Sequence, residues 1–283
     1  MSQYRSQQNI SQQAAFFPKP LVKWLLPLSF LLALICYFPA ELAWRYSGLA
    51  ERLPKELSLV SIGGSVWDAE TVLELQHQKQ TLQLKVDWRL GFSAFWQQGY
   101  WLSVHMTYPG TSLQLLASPS VALTGGVALT GGMMLTGGQG ELSGTINPLL
   151  INPLLKRNKA WIDGDIRINQ LNWKIENARP SFLQGTVIWQ GGDTYFIPPA
   201  AADRPQLIRY PQLALKAKTD GDGVINAIVT TLEQPEALVD VRLNPDGWLS
   251  ATVFGRLKHA VPDLPVPRKP AEQALIKYKE KLF

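Results

Sequence analysis

Residues that could carry chemistry are few in this sequence and lie far apart. The three histidines, His77, His105 and His259, are isolated from one another and show no metal-ligand spacing to the single cysteine, Cys36. We therefore interpret them as strand or tail residues rather than as ligands. The sequence predicts neither a bound metal nor any other cofactor.

Two short motifs resemble functional loops without completing them. The sequence DGDG at 220–223 has the carboxylates of a calcium loop but no downstream glutamate at the required spacing, so we interpret it as a turn. Gly63-Gly64-Ser65 is the nearest approach to a nucleophile motif, but Val-Trp follows it in a strand pattern, which indicates a bend. The sequence also lacks a G-x-S-x-G elbow, a phosphate-binding loop and a GxGxxG motif between a strand and a helix. We expect a protein that is not an enzyme.

Tryptophan is the residue type that stands out, with ten copies in the chain. Those in the main body are Trp67, Trp88, Trp96, Trp101, Trp161, Trp173, Trp189 and Trp248. Large aromatic rings on a pleated surface contribute burial and cross-strand pairing, which favours a structural core. The other interpretation is an apolar concave face that holds lipid or a partner strand.

The elements that must position these rings are strands. From residue 57 onward apolar residues alternate with polar ones, as at Leu82, Leu84, Val86 and Trp88, in short runs broken by glycine and proline. Such runs predict antiparallel strands with one wet and one buried face. We expect an all-β domain over 45–260 built as a curved antiparallel sheet in two related halves, about 57–145 and 160–257.

A run of 17 residues without a charge, Trp24 to Ala40, precedes this domain. As a helix it would span roughly 25 Å, which is within the range that crosses a bilayer. The residues before Ala40 and before Ala43 do not form the small-x-small site of a cleaved signal peptide. We therefore predict an uncleaved transmembrane helix over 24–44. Its apolar anchor residues are Trp24, Leu25, Leu26, Leu28, Phe30, Leu31, Leu32, Leu34, Ile35, Tyr37 and Phe38.

The charge around this segment predicts its orientation. Residues 1–23 carry three basic and no acidic side chains, whereas Glu41 follows the span directly. The positive-inside rule places the tail, residues 1–23, in the cytoplasm and the main domain on the opposite side of the membrane. The second basic end of the chain is 256–283, and the residues between the two ends carry a small negative charge. We expect no basic face on the domain and no nucleic acid as a partner.

Two segments depart from the strand pattern. Residues 121–138 repeat a six-residue unit, VALTGG twice and then MMLTGG, which favours a glycine-rich loop or short-strand insertion over the alternative of a parallel β-helix. A further pair, INPLL at 146–150 and 151–155, predicts helical turns between the two halves.

The C-terminal region, 261–283, combines a proline-rich stretch with a basic end. We expect an extended linker followed by a short amphipathic helix, because Ala271, Ala274, Leu275, Tyr278 and Leu282 fall on one helical face. Such a helix would dock on a partner or a membrane, or else be frayed and solvated.

These features together resemble the type II secretion system protein N family. The resemblance rests on an N-terminal anchor, the run Ile62 to Trp67, and the strand patterns around Trp88 and Trp189. The motif positions are Gly63, Gly64, Trp67, Trp88, Trp173, Gly185 and Trp189. Asp68-Ala69 departs from the family pattern after the first tryptophan, and the six-residue repeats look like an insertion. Membership implies an inner-membrane, periplasm-facing accessory subunit with no known catalytic role.

Two functions follow as hypotheses. The first is a structural or assembly role in the type II secretion apparatus, through contacts with the other subunits of that machine and with the inner membrane. The alternative is an AsmA-like lipid-binding or lipid-transfer protein with an apolar β-groove. A continuous, accessible apolar face would favour lipid, whereas a closed core with polar faces and free edges would favour assembly.

Overall fold

Strands make up most of the chain in the computed structural model, which describes residues 19–48, 57–77, 80–91, 99–124, 132–155, 159–196 and 206–283. The helices are α1 (Lys19–Cys36), α2 (Ala40–Tyr46), α3 (Pro148–Leu155) and α4 (Arg256–Ala260). The first strands are β1 (Leu57–Ser65), β2 (Asp68–His77), β3 (Gln80–Leu90), β4 (Leu102–Tyr108), β5 (Thr111–Thr124), β6 (Gly132–Ile146), β7 (Ala160–Ile162) and β8 (Ile166–Glu176). The others are β9 (Arg179–Trp189), β10 (Gly192–Phe196), β11 (Gln206–Tyr210), β12 (Leu213–Thr219), β13 (Ile225–Thr231), β14 (Val239–Leu243), β15 (Trp248–Phe254) and β16 (Ala274–Lys281).

Thirteen of these strands form one antiparallel sheet. Its order is β1-β2-β3-β4-β5-β6-β8-β9-β12-β13-β14-β15-β16, so neighbours in the sheet are nearly always neighbours in sequence. The join between β6 and β8 connects the first six strands to the last seven within a single hydrogen-bonded ladder. The prediction of a mostly β chain with a large antiparallel sheet is confirmed.

The two faces of this sheet differ in polarity and in exposure. We call the face that carries most apolar residues the inner face, and the opposite one the outer face. On β13, Ile225 of the inner face is 7% exposed, whereas Ile228 of the outer face is 38% exposed. This difference in side chains of the same size shows that the inner face is the more covered of the two at this strand.

The second half of the sheet is strongly curved. The guanidinium of Arg179, at the start of β9, lies 4.8 Å from the ring centroid of Phe283, just after β16. Five strand spacings separate these strands in the ladder, which would be about 24 Å in a flat sheet. The sheet therefore curls until its last strand approaches β9 at this end.

A smaller sheet extends from one end of the large one. Its strand order is β11-β10-β7. Each of its strands is next along the chain to one strand of the large sheet, β11 to β12, β10 to β9 and β7 to β8. The small sheet therefore has the same strand order as the part of the large sheet beside it. The chain bends between the two sheets at Gly164, Gly191 and Pro211. Gly191 has φ +75°, and a Cβ there would lie 2.6 Å from the carbonyl carbon of Pro211, so only glycine fits.

The helix α3 confirms the predicted helical turns at the INPLL pair. It holds the edge of the small sheet through Asn152, which is 1% exposed. Its Nδ2 donates to the carbonyl of Ile162 at 3.0 Å, and its Oδ1 accepts from the N–H of Ile162 at 3.0 Å. The buried amide thus imitates a neighbouring strand and closes the edge of β7.

The predicted C-terminal helix is wrong: residues 274–281 form the end strand β16, paired with β15. The segment fits both a helical period and a strand period of two, because Ile276 and Tyr278 alternate with Lys277 and Lys279. An isolated helix of this length is marginal in water, whereas pairing with β15 satisfies a row of backbone groups at once. Non-local pairing therefore overrides the helical pattern.

Part of the VALTGG region belongs to the sheet. Residues 121–124 lie in β5 and 132–138 in β6, paired antiparallel with Val121 opposite Leu135. Residues 125–131 lie outside the described part of the chain, as do Trp96 and residues 1–18 of the predicted cytoplasmic tail.

The helix α1 presents exposed apolar side chains, among them Leu26, Phe30 and Leu32, each more than 60% exposed. Within the described residues, the structure contains no helix that satisfies both the length and the hydropathy needed for a membrane crossing. Beyond α1, the carbonyl of Phe38 accepts the N–H of Val66 at 2.9 Å, and Pro39 bridges to Ser65. The end of the helical segment is therefore fixed to the β1–β2 turn.

Candidate functional site

The inner face contains an apolar row that runs across all thirteen strands without a charged residue. Its members are Ile62, Thr71, Val86, Met106, Leu113, Gly144, Ile168, Val187, Leu215, Val229, Val239, Val253 and Ile276, each paired with the next. At the usual strand spacing the row is about 58 Å long, measured along the curve of the sheet. The register thus forms one extended apolar surface from the two halves.

The side chains of this surface are partly covered but are not buried throughout. Most of the large apolar side chains on it are half-buried, and its buried members include Leu75, Leu84, Ile168 and Ile225. In a two-layer sandwich the facing side chains interdigitate and would be buried throughout. The partial exposure of the inner face instead matches a single layer that no second sheet covers among the described residues.

One polar side chain lies within the apolar row. Thr71 is 2% exposed, and its Oγ1 has no hydrogen-bond partner in the described part of the chain. A buried hydroxyl without a partner costs free energy, about 1–3 kcal/mol. The residue therefore marks a local defect in the apolar surface near β1.

The first motif tryptophans connect the N-terminal helical segment to the sheet. The indole N–H of Trp67 donates to the carbonyl of Ile35 at 2.8 Å, and that of Trp88 donates to Val66 at 3.0 Å. Gly64 has φ +93° and lies against the backbone of Asp68, where a Cβ would clash. Gly63 has open space around it. The Gly-Gly-Ser run is thus part of a strand and a turn, as the sequence indicated.

The second-half motif residues shape the middle of the sheet. The ring of Trp173 covers Gly140 on the neighbouring strand, where a Cβ would lie 2.5 Å from Cζ2. The indole of Trp189 donates to the carbonyl of Asp163 at 2.7 Å, at the bend into the small sheet. At Gly185, which has φ +155°, a Cβ would lie 2.7 Å from the Cα of Leu171. The motif residues are dispersed along the sheet and do not converge on one site.

Trp88, Trp173 and Trp189 lie on the inner face and are half-buried. Both interpretations of the tryptophans therefore hold in part, since each ring packs against its neighbours and also contributes to an accessible apolar surface. The sequence could not separate these interpretations because it does not reveal whether a second layer covers the sheet.

The outer face is divided by charge, which sequence reasoning missed. On the strands β1 to β6 it carries more carboxylates than cations: Asp68, Glu70, Glu74, Asp87 and Glu141 against Lys85 and Arg89. On β8 to β16 it carries Arg167, Lys174, Arg179, Lys216, Lys218, Arg242, Lys277, Lys279 and Lys281 against Glu176 and Asp240. The expectation of no basic face is wrong, because many acidic residues of the second half lie in turns instead.

Several outer-face charges form exposed ion pairs. Glu70 lies 2.9 Å from Lys85, and this hydrogen bond raises the pKa of the lysine. Lys174 lies 2.7 Å from Glu176 and lowers the pKa of that carboxyl, mainly through their hydrogen bond. Exposed pairs of this kind add little stability. Their charges remain available to a partner.

The histidines and the DGDG turn do not come together in the folded chain. His105 Nε2 lies 3.3 Å from Ser112 Oγ on the outer face. Asp220 Oδ1 accepts the N–H groups of Asp222 and Val224, at 3.1 and 2.9 Å, which confirms the turn at 220–223. In the residues that the structure describes, no group of three or more His, Cys, Asp or Glu side chains is placed to hold a metal.

Comparison of the chain with protein-family models, with curated proteins and with solved structures finds no match. The assignment of a role therefore depends on the geometry described above.

Proposed function

We propose that this chain is a membrane-anchored envelope protein whose inner face binds the acyl chains of lipids. The observation that carries the proposal is the apolar row, which crosses every strand of the large sheet and consists mostly of half-buried residues. Acyl chains are long, flexible and apolar, so they fit a continuous row of side chains that contains no charge and few hydrogen-bonding groups. The role is one of binding or transfer rather than catalysis.

The source of the lipid follows from the anchor segment. The exposed apolar side chains of α1 cover it all round, which is typical of a helix in a lipid environment. We propose that the uncharged run from Trp24 to Ala40 crosses the inner membrane with the N-terminus in the cytoplasm. The contacts of Ile35 and Phe38 with the β1–β2 turn then hold the first strand of the inner face beside the periplasmic surface of that membrane.

The test is site-specific photo-crosslinking in cells. A photoreactive amino acid at Val104 or Val229 faces inward, whereas at the adjacent residues His105 and Ile228 it faces outward. We expect lipid adducts at the two inward positions, detected by mass spectrometry of the purified chain. A photoreactive amino acid at Phe30 provides the positive control.

Equal yields of lipid adducts at Val229 and Ile228 would contradict the proposal. Adducts at Phe30 alone would have the same consequence, because they would limit lipid contact to the anchor.

A second candidate is the assembly role in the type II secretion apparatus. The observation that favours it is the open outer edge of β16, which offers backbone groups to a partner strand. The residues of the family resemblance also have defined roles, since Trp67 and Trp88 hold the anchor junction together. We would crosslink the full-length protein in cells and identify copurifying proteins and lipids together. Recovery of secretion subunits, with lipid no richer than for an unrelated single-span control, would support this role over lipid binding.

A further inference from the structure

The two end strands of the large sheet are not equivalent. The free edge of β1 is partly occupied, because Pro39 forms a bridge with Ser65. The outer side of β16 has no neighbouring strand among those described. It is also the end of the apolar row farthest along the sheet from the anchor segment. Any extension of the sheet is therefore expected at β16.

The hydrogen-bond pattern between β15 and β16 shows which backbone groups of β16 point away from β15. The N–H of Leu282 donates to the carbonyl of Gly247 at 2.9 Å, so this pair bonds directly. In an antiparallel ladder every second pair is hydrogen-bonded, so the backbone N–H and C=O groups of Tyr278 and Ile276 bond to β15. The N–H and C=O groups of Lys277, Lys279 and Lys281 consequently point away from the sheet.

The side chains of β16 define what a neighbouring strand must contain. Lys277, Lys279 and Lys281 project on the outer face, and in the described residues none of them forms an ion pair within 4.0 Å. On the inner face Ile276 is 54% and Tyr278 49% exposed, more than the apolar residues of the interior strands. A neighbour with apolar residues inward would cover both side chains, and acidic residues outward would face the lysines.

We propose that β16 is a docking strand for the edge strand of another protein, in which acidic residues alternate with apolar ones. A second copy of this chain does not fit. Two β16 strands would place lysines opposite lysines, and β1 has serine and glycine on its outer face, at Ser58, Ser61 and Gly63. The lysines also discourage indiscriminate pairing of the open edge.

This inference stands apart from acyl-chain binding, and either can fail alone. It is tested with the full-length protein in nanodiscs and a short, fluorescent peptide that alternates glutamate with valine. A peptide that alternates lysine with valine is the control. We expect the acidic peptide to bind at least tenfold more tightly than the basic one.

Two substitutions at one position separate backbone pairing from charge. Lys279→Ala removes the ammonium but keeps the outward N–H, and we expect binding to weaken about threefold. Lys279→Pro also removes the N–H, which β15 does not use, so binding should fall at least about tenfold while the fold is kept. The double variant Lys277→Glu/Lys279→Glu should prefer the basic peptide.

Hydrogen exchange of the wild-type protein gives a readout that needs no variant. The acidic peptide should slow exchange of the amides of Lys277, Lys279 and Lys281. Three results would overturn the proposal: equal binding of both peptides, undiminished binding by Lys279→Pro, or unchanged exchange at these amides. Self-association of the protein that Lys279→Pro abolishes would instead identify a second copy as the occupant.

Discussion

The two halves of the large sheet share an inner surface but differ in what they offer outside it. The strands β1 to β6 begin at the anchor junction and carry an excess of outer carboxylates. The strands β8 to β16 end in an open edge and carry an excess of outer cations. The apolar row crosses both halves. These differences are those expected if β1 is the attached end and β16 the docking end, as proposed above.

We expect the largest loss of stability at α3, where Asn152 binds the edge of the small sheet. Asn152→Ala leaves the N–H and the C=O of Ile162 buried without partners, which should lower the free energy of unfolding by about 2–4 kcal/mol. Denaturant unfolding followed by circular dichroism measures the loss. Asn147→Ala, which removes an exposed bond to the N–H of Leu149 at 3.0 Å, is the control. Equal losses in the two variants would refute the role of Asn152.

The join between the halves should be sensitive to a single methyl group. Gly140→Ala places a Cβ against the ring of Trp173, and we expect a loss of about 1–3 kcal/mol in stability because the two strands must move apart. Gly63→Ala, in the open part of β1, is the matched control and should cost nothing. Thermal unfolding of both variants makes the comparison. A milder effect at Gly140 than at Gly63 would show that the join is loosely packed.

A smaller effect compares equivalent tryptophans in the two halves. Trp88→Phe and Trp189→Phe each delete one indole hydrogen bond to a turn carbonyl. The bond of Trp88 is partly buried and that of Trp189 is exposed, so we expect about 1 kcal/mol for the first and less for the second. Chemical denaturation of the single variants measures both, with Trp248→Phe as a control on the outer face. The reverse order would mean that the anchor junction contributes little to stability.

The smallest effect concerns pH at the bend into the small sheet. Burial raises the pKa of the Tyr210 phenol above its ordinary value of 10.0. The folded protein therefore keeps this proton at a pH where the unfolded chain has lost it, and stability falls as pH rises above about 10. Tyr210→Phe should reduce this alkaline loss in unfolding experiments.

The control for the alkaline experiment is Tyr195→Phe, which removes an exposed hydroxyl from the same small sheet. An unchanged alkaline dependence in Tyr210→Phe would mean that other groups control it.

Much of the sheet was predictable because a period of two is a local property of the chain. The alternation at Leu82 to Trp88 became β3, and the INPLL pair became α3. The helical pattern at 271–282 failed, since a helix and an edge strand were both compatible with its residues. The choice depended on the unpaired edge of β15, which lies outside the segment itself.

The sequence predicted the aromatic and apolar character of the candidate site but not its exposure. The number and spacing of the tryptophans indicated either a core or an apolar face, but the choice between them required the exposure of the folded sheet. The charge division of the outer face was hidden as well. Lys216 and Arg242 lie on neighbouring parts of that face, although 25 residues separate them in sequence.

The sequence by itself determined an uncharged apolar segment, a β chain with alternating faces, and a basic C-terminal end. These depend on residue type and local period, which act before any long-range contact forms. The tertiary structure alone decided the curl that brings Arg179 to Phe283, the conversion of 274–281 into an edge strand, and the uninterrupted row from Ile62 to Ile276. All three depend on strand register, which hydrogen bonds between distant segments fix.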